Sequence, residues 1–410
     1  MTTQVEAQPG TVHAYGYRWV VIGVFFLFTL MSQVFWIAFA PVTSLAAKFY
    51  GVSELRIGFL AMSFMYIYIP FAIPASWAID TYGFKKTVGA AAVIYGICGL
   101  LRGVMVGNFT VVLAATISMA IAQPLILNSP TKIAAKWFPL SERATIVGIA
   151  FMGNFLGIML GQVLTPIFAE SFGFGVPHLI FGIAGAISAV LFLIFARENP
   201  PTPAGYEERV LMLDGIKLIF KKVDFYLMAM VVFMVNLIFN GIATWVEGIV
   251  KPKGLSSTEV GLAGGLLFLG AIVGVLVIPP FSDRLHKRKL IFLIPLMFSV
   301  PAMLGLTYLH GPTLVMISSF LLGFFMLGAA PVAIQYATEI CYPAPEGTSM
   351  GIYTLVGQIS VVGISVMGWS YARSGSFTPS MLVMTILLAV FLLVLTRVRE
   401  SPMIEKFAHK

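Results

Sequence analysis

The sequence predicts an all-α membrane protein with twelve transmembrane helices in two pseudo-symmetric six-helix halves. Three observations predict it. Charged residues make up only 10% of the 410-residue chain and hydrophobic ones 59%, more apolar surface than a soluble domain can hide. Apolar runs of roughly 20 residues, the length a helix needs to cross hydrocarbon, recur twelve times. Finally, motifs of the first half return in the second. Asp80 and Asp283 lie 203 positions apart, while Pro139 and Pro343, and Glu142 and Glu346, lie 204 apart.

The spans fall near 17–46, 55–79, 87–107, 109–137, 144–168 and 174–196, then 225–250, 257–281, 289–309, 312–340, 347–371 and 377–397. Strands of a membrane barrel would instead alternate in ten-residue segments. The polar stretch after Arg197 carries Pro200, Pro201 and Pro203 and suits a linker. It divides the chain into a tail 1–16, a first half 17–196, a linker 197–224, a second half 225–397 and a tail 398–410. With the N-terminus inside, cytoplasmic segments hold 19 of the 25 Lys and Arg and external segments five. That asymmetry places both termini in the cytoplasm.

Composition also removes other classes. The net charge of +8 sits in short loops between apolar spans, which speaks against nucleic acid as a partner. The first 17 residues are polar and the next segment is long enough to span, so no cleavable signal peptide is expected. Cys98 and Cys341 fall on opposite sides of this topology and are expected as separate thiols. The five histidines, His13, His178, His286, His310 and His409, are scattered among ends and loops. Neither a metal constellation nor a nucleotide-binding glycine loop appears, so no metal, cofactor or enzyme activity is expected.

The stretch Asp80-Thr-Tyr-Gly83-Phe-Lys85-Lys86 joins spans two and three. Gly83 permits a sharp turn, the lysines hold the loop in the cytoplasm, and Asp80 can face the positive end of a neighbouring helix. Phe281-Ser-Asp283-Arg284 begins a degenerate copy in the second half, and Gly153-Asn154 recurs as Gly357-Gln358. Two parallel six-helix repeats, with binding near the midplane where the halves meet, resemble the major facilitator superfamily. By that likeness Asp80 would cap span eleven near Gly347 in the outward-open state. Asp283 would cap span five near Ala144. The alternative is a loop that serves topology alone.

Longer motifs narrow the likeness. They are Tyr68-x-Pro70-x3-Pro74-Ala75-Ser76-Trp77-x2-Asp80, Ala122-Gln123-x2-Ile126, Gly153-Asn154-x-Leu156-Gly157, and Glu339-Ile340-x-Tyr342-Pro343-x2-Glu346-Gly347-Thr348-Ser349. Together they resemble the feline leukaemia virus subgroup C receptor family of solute carriers, from about Arg18 to the last span. The resemblance implies alternating-access transport of a small molecule. Choline and ethanolamine are associated with the animal members, haem in earlier proposals, and pyridoxine in a more distant branch. Short termini and the lack of long insertions suggest a prokaryotic member, in the plasma membrane, among lipids and as a monomer.

The resemblance also names candidate residues. Trp36 aligns with a substrate-contacting tryptophan, and Gln123 and Gln358 with cavity glutamines. An indole face stabilises a desolvated quaternary ammonium by about 2 kcal/mol or more; the alternative for Trp36 is a packing residue. The family's second aromatic is replaced here by Asn240, 204 positions after Trp36. An amide opposite an indole, with Trp245 and Glu247 about a turn away, would suit a smaller or more polar cation, an amino acid or a vitamin-like ring. Glu247 and Arg102 are ionisable groups within spans, functional candidates by default. Glu247 is a cavity proton carrier or an interfacial group; Arg102 snorkels outward or pairs with a helix carbonyl. Glu339 is expected in the inner gate with Arg143 or the loop lysines. The expected function is transport of a small polar or cationic metabolite, by facilitation or with protons. An exporter of drug-like compounds by proton antiport, or a non-transporting sensor, are the other readings.

Overall fold

The computed structural model describes residues 15–139, 142–201, 219–285, 287–341 and 346–400. Twelve helices there are long and apolar enough to cross a membrane. They are α1 Arg18–Tyr50, α2 Glu54–Tyr82, α3 Phe84–Val104, α4 Phe109–Trp137, α5 Ile146–Phe172, α6 Gly175–Phe195, α7 Val223–Lys253, α8 Ser257–Ser282, α9 Arg288–Tyr308, α10 Pro312–Ala337, α11 Gly351–Ser374 and α12 Thr378–Leu395. No strand occurs among the described residues. The predicted fold class therefore holds. Most of the expected tails and of the expected linker lies outside the described residues.

Helices form because hydrocarbon offers the backbone no hydrogen-bond partner, so each span must satisfy itself. The ends are locally specified. The Asn108 side chain accepts from the N–H groups of Thr110 and Val111, at 3.0 and 3.3 Å, and caps α4. Gly83 turns the chain from α2 into α3 with φ +86°, a conformation costly for any other residue. A Cβ there would also lie 2.3 Å from the Glu198 carboxylate.

The two halves repeat one packing scheme. In the first, α1 packs on α5, α2 on α4 and α3 on α6; in the second, α7 packs on α11, α8 on α10 and α9 on α12. The halves meet along α5–α8 and α2–α11. Close approach depends on small residues, since apolar burial gives helices no driving force within lipid. A Cβ on Gly157 of α5 would sit 2.2 Å from the Leu30 carbonyl oxygen of α1. The glycine spacing in α5 thus serves helix contact.

Five of the described helices are broken, α11 among them, which is interrupted at Ser360. α1 is regular through Ile37 and resumes as a short 3₁₀ turn, Ala40–Val42. α4 breaks at Asn128–Ser129, and α10 passes through a π-helical turn, Gly323–Leu327. α7 leaves helical geometry at Trp245, with φ −108° and ψ 21°. Trp245 stands 204 positions after Pro41, so the breaks in α1 and α7 are equivalent by the repeat. The end of the bundle bearing the start of α1 and the end of α12 is the proximal end, and the opposite end is the distal end.

Candidate functional site

Trp36, Gln123, Asn240 and Gln358 come from α1, α4, α7 and α11. The first three are buried, at 5–6% exposure, and Gln358 is half-buried. The Trp36 indole N–H donates to the Ala61 carbonyl of α2 at 3.1 Å, which fixes its ring plane. The three amides have no hydrogen-bond partner among the described residues, yet none is sealed from accessible space. A buried amide without a partner is costly, so such groups bond to water or a solute. Gln33 is in the same condition, buried and unpartnered. It lies three residues before Trp36, on the same helical face. Sequence reading passed over it, although a glutamine at i−3 from Trp36 inside an apolar span was a visible signal.

Trp245 and Glu247 belong elsewhere, in a seam that joins the halves at the distal end. The Glu247 carboxylate accepts the Ser44 backbone N–H of α1 at 2.8 Å and also its hydroxyl. Lys251, one turn on, pairs with Glu247 at 2.6 Å and donates to the Ser44 hydroxyl at 2.8 Å. Glu170 of α5 accepts from the Thr258 N–H of α8 at 3.2 Å and from its hydroxyl. Gln162 donates to the Ala243 carbonyl at 3.0 Å, and the hydroxyls of Tyr66 and Ser365 lie 2.7 Å apart. Trp245 is a wedge in this seam. Its indole N–H donates to the Ile364 carbonyl at 3.2 Å, and its ring lies against Gly368 of its own half. On the other side it reaches α2, where a Cβ on Gly58 would fall 2.2 Å from the ring.

At the proximal end the loop residues bond largely within their own halves. Asp80 pairs with Lys132 of α4 at 3.0 Å while remaining 70% exposed itself. The Lys85 backbone N–H, at the start of α3, donates to Glu198 at 2.7 Å, and Lys136 pairs with the same carboxylate. Lys86 is exposed. Arg143 donates to the carbonyls of Ala135 and Phe138, at 3.0 and 3.4 Å, where α4 ends. Glu339 therefore meets a different cation from Arg143: Arg288, at 3.4 Å. Arg284 is exposed at the end of the α8 helix; the side chains of Asp283 and Glu346 lie outside the described residues. Glu198 and Glu400 were missed. Glu400 accepts the Lys289 N–H at 3.1 Å, as Glu198 does that of Lys85. The repeated Arg-Glu-x-Pro at 197–200 and 399–402 was the signal.

Comparison with known proteins places the chain in a family. The model described as Major Facilitator Superfamily matches residues 21–256 and 248–409. The chain belongs to the major facilitator superfamily. Within that superfamily its relatives are solute carriers of the type expected from the motifs. It is 30% identical to solute carrier family 49 member A3 of Xenopus tropicalis, over 84% of this chain and 76% of that one. It is 27% identical to the choline/ethanolamine transporter FLVCR1 of Felis catus, over 83% of this chain and 65% of that one. The chain thus spans about two thirds of the feline protein. Two solved facilitators share the fold with a TM-score of 0.76. One is a bacterial homologue of the human lysosomal transporter Spinster, inward-facing and unoccupied, 15% identical and covering 95% of this chain and 100% of its own. The other is a D-xylose-proton symporter, 16% identical over 94% and 99%. A membrane transport protein of this superfamily is the conclusion these findings carry.

Proposed function

We propose that this facilitator carries a small polar or cationic metabolite (a choline-like amine, an amino acid or a vitamin-like compound) by alternating access, and that the conformation described is its inward-open state. The observation that carries the reading is the set of unpartnered amides, Gln33, Gln123, Asn240 and Gln358, set like Trp36 within the spans of α1, α4, α7 and α11. Amide oxygens accept from an ammonium or hydroxyl, amide nitrogens donate to an oxygen, and the indole face receives the cation. Neither Arg102 nor Glu247, the charges deepest in the spans, belongs to that set. A compact anion would lack a basic partner there, and a cation would rely on dipoles and π-density.

The distal seam supports the state assignment, because bonds across the halves gather there. The basic loops assign the proximal end and both termini to the cytoplasm, in the plasma membrane of a cell whose lipids surround a monomer. Asp80 and its counterpart Asp283 are then latch residues for the opposite state; Asp80 is paired here with Lys132 of its own half. Glu247, committed to Ser44 and Lys251, is read as a gate residue.

The test is reconstitution. Purified protein in liposomes should show saturable, counterflow-competent flux of at least one of choline, ethanolamine, pyridoxine or an amino acid. The same compound should raise the thermal transition, since a ligand of the native state stabilises it. Ligand-induced stabilisation without flux would make the protein a sensor and overturn the carrier reading.

A further inference from the structure

The amide site and the two gates leave one buried charge unused. Arg102 of α3 is 2% exposed, and no carboxylate pairs with it among the described residues. An isolated guanidinium inside a membrane bundle is expensive, so its compensation identifies its role. Its Nη1 donates to the Phe35 carbonyl oxygen at 2.9 Å. Its Cζ lies 5.6 Å from the Phe35 ring centroid and 4.9 Å from that of Phe39. Phe35 lies just before the break in α1 and Phe39 within it.

The break has a local cause. Pro41 has no N–H, so the Ile37 carbonyl loses its i+4 donor, and the helix stops at Ile37. The chain there presents the negative end of a helix, the end that a cation stabilises. Arg102 supplies that cation to the carbonyl before the break and lies over the Phe39 ring within it. Both rings are anchored behind α1. Phe35 is wedged between α3 and α6, where a Cβ on Gly99 or Gly185 would come within 2.5 or 2.4 Å of its ring. Phe39 stacks on His178 of α6 with centroids 4.4 Å apart.

We propose that Arg102 is a positioning residue that holds α1 broken one residue past Trp36, and so sets both the Trp36 ring and the distal segment that delivers Ser44 to Glu247. The Trp36 consequence rests on the proposed site; the Ser44 consequence does not. The second half manages its equivalent break without such a group. Position 306, 204 after Arg102, is a leucine, and there Trp245 itself is pinned to α11 through Ile364. The device belongs to the first half alone.

The experiment separates gate from site. In a Cys98→Ala, Cys341→Ala background, Ala243→Cys places a thiol in the distal seam, where an impermeant maleimide reports opening. Arg102→Met should speed that labelling by roughly tenfold, the shift a buried cation at a helix end can carry. Arg102→Lys should fall between, keeping the charge but losing the planar face. Phe39→Leu should copy Arg102→Met with the arginine retained, and it serves if Arg102→Met does not fold. Choline or ethanolamine, whichever shifts the wild-type thermal transition, should bind more weakly to the same variants. Unchanged labelling in Arg102→Met, or in Phe39→Leu if the first cannot be made, overturns the proposal. Faster labelling with unchanged binding leaves Arg102 as a gate residue and removes its role at Trp36.

Discussion

Asn240 carries the sharpest residue-scale prediction. It stands 204 positions after Trp36, is buried, and offers an amide without a partner. Asn240→Tyr should move preference towards choline and weaken a ligand that bonds to the amide, because it exchanges donor and acceptor for ring density. Trp36→Phe should weaken binding modestly and Trp36→Ala severely, following ring strength. Titrations of choline and ethanolamine against each variant decide it; equal affinities in wild type and Asn240→Tyr would show that position 240 does not touch the ligand. Much of this was legible from residue type: an amide or indole inside an apolar span stands out in a sequence. Gln33 was equally visible and was passed over. What was not legible is which polar groups are already satisfied. Gln162 looks like Gln123 in the sequence, yet its amide nitrogen is spent on the Ala243 carbonyl at 3.0 Å, while its Oε1 is buried without a partner. That distinction depends on a helix of the other half.

At the scale of elements, the glycines of α5 separate two roles in one helix. Gly157 faces the α1 backbone, whereas a Cβ on Gly148 would meet nothing within 4 Å. Gly157→Val should therefore lower stability by about 1–3 kcal/mol through overpacking. Gly148→Ala should leave it unchanged or raise it by about 0.5–1 kcal/mol, the helical cost of glycine. Thermal unfolding in one detergent compares them; equal loss in both would mean that the α1–α5 contact does not limit packing. The number and order of the spans could be read from apolar length, because hydrocarbon imposes one minimum on all of them. Their breaks could not. Pro41 hints at the one in α1, but the π turn of α10 arises where Gly323 meets α8, with a Cβ position only 1.8 Å from the Leu267 carbonyl oxygen. Such a contact is invisible to any local pattern.

For the whole molecule, the question is what holds the distal end shut. Glu247 is the centre of that seam, since it takes two hydrogen bonds from Ser44 of the other half and pairs with Lys251 of its own. Lys251 is 42% exposed on its side chain, so its pairing with Glu247 is screened and contributes little across the halves. The bonds from Ser44 matter more. A hydrogen bond to a charged group contributes about 1.5–3 kcal/mol, and these exist only when α1 and α7 meet. Glu247→Ala should then shift the molecule towards distal-open by roughly a hundredfold. Glu247→Gln should shift it less, because an amide oxygen can still accept the Ser44 N–H. A gate residue and a proton carrier predict different transport phenotypes. As a gate, Glu247→Gln slows counterflow and gradient-driven accumulation together, since both need distal closure. As a carrier of protons, it abolishes accumulation driven by a pH gradient and spares counterflow. The seam favours the first outcome, measured as two initial rates in the same liposomes. Preserved counterflow with lost accumulation would mean that Glu247 releases Ser44 during the cycle in order to take up a proton.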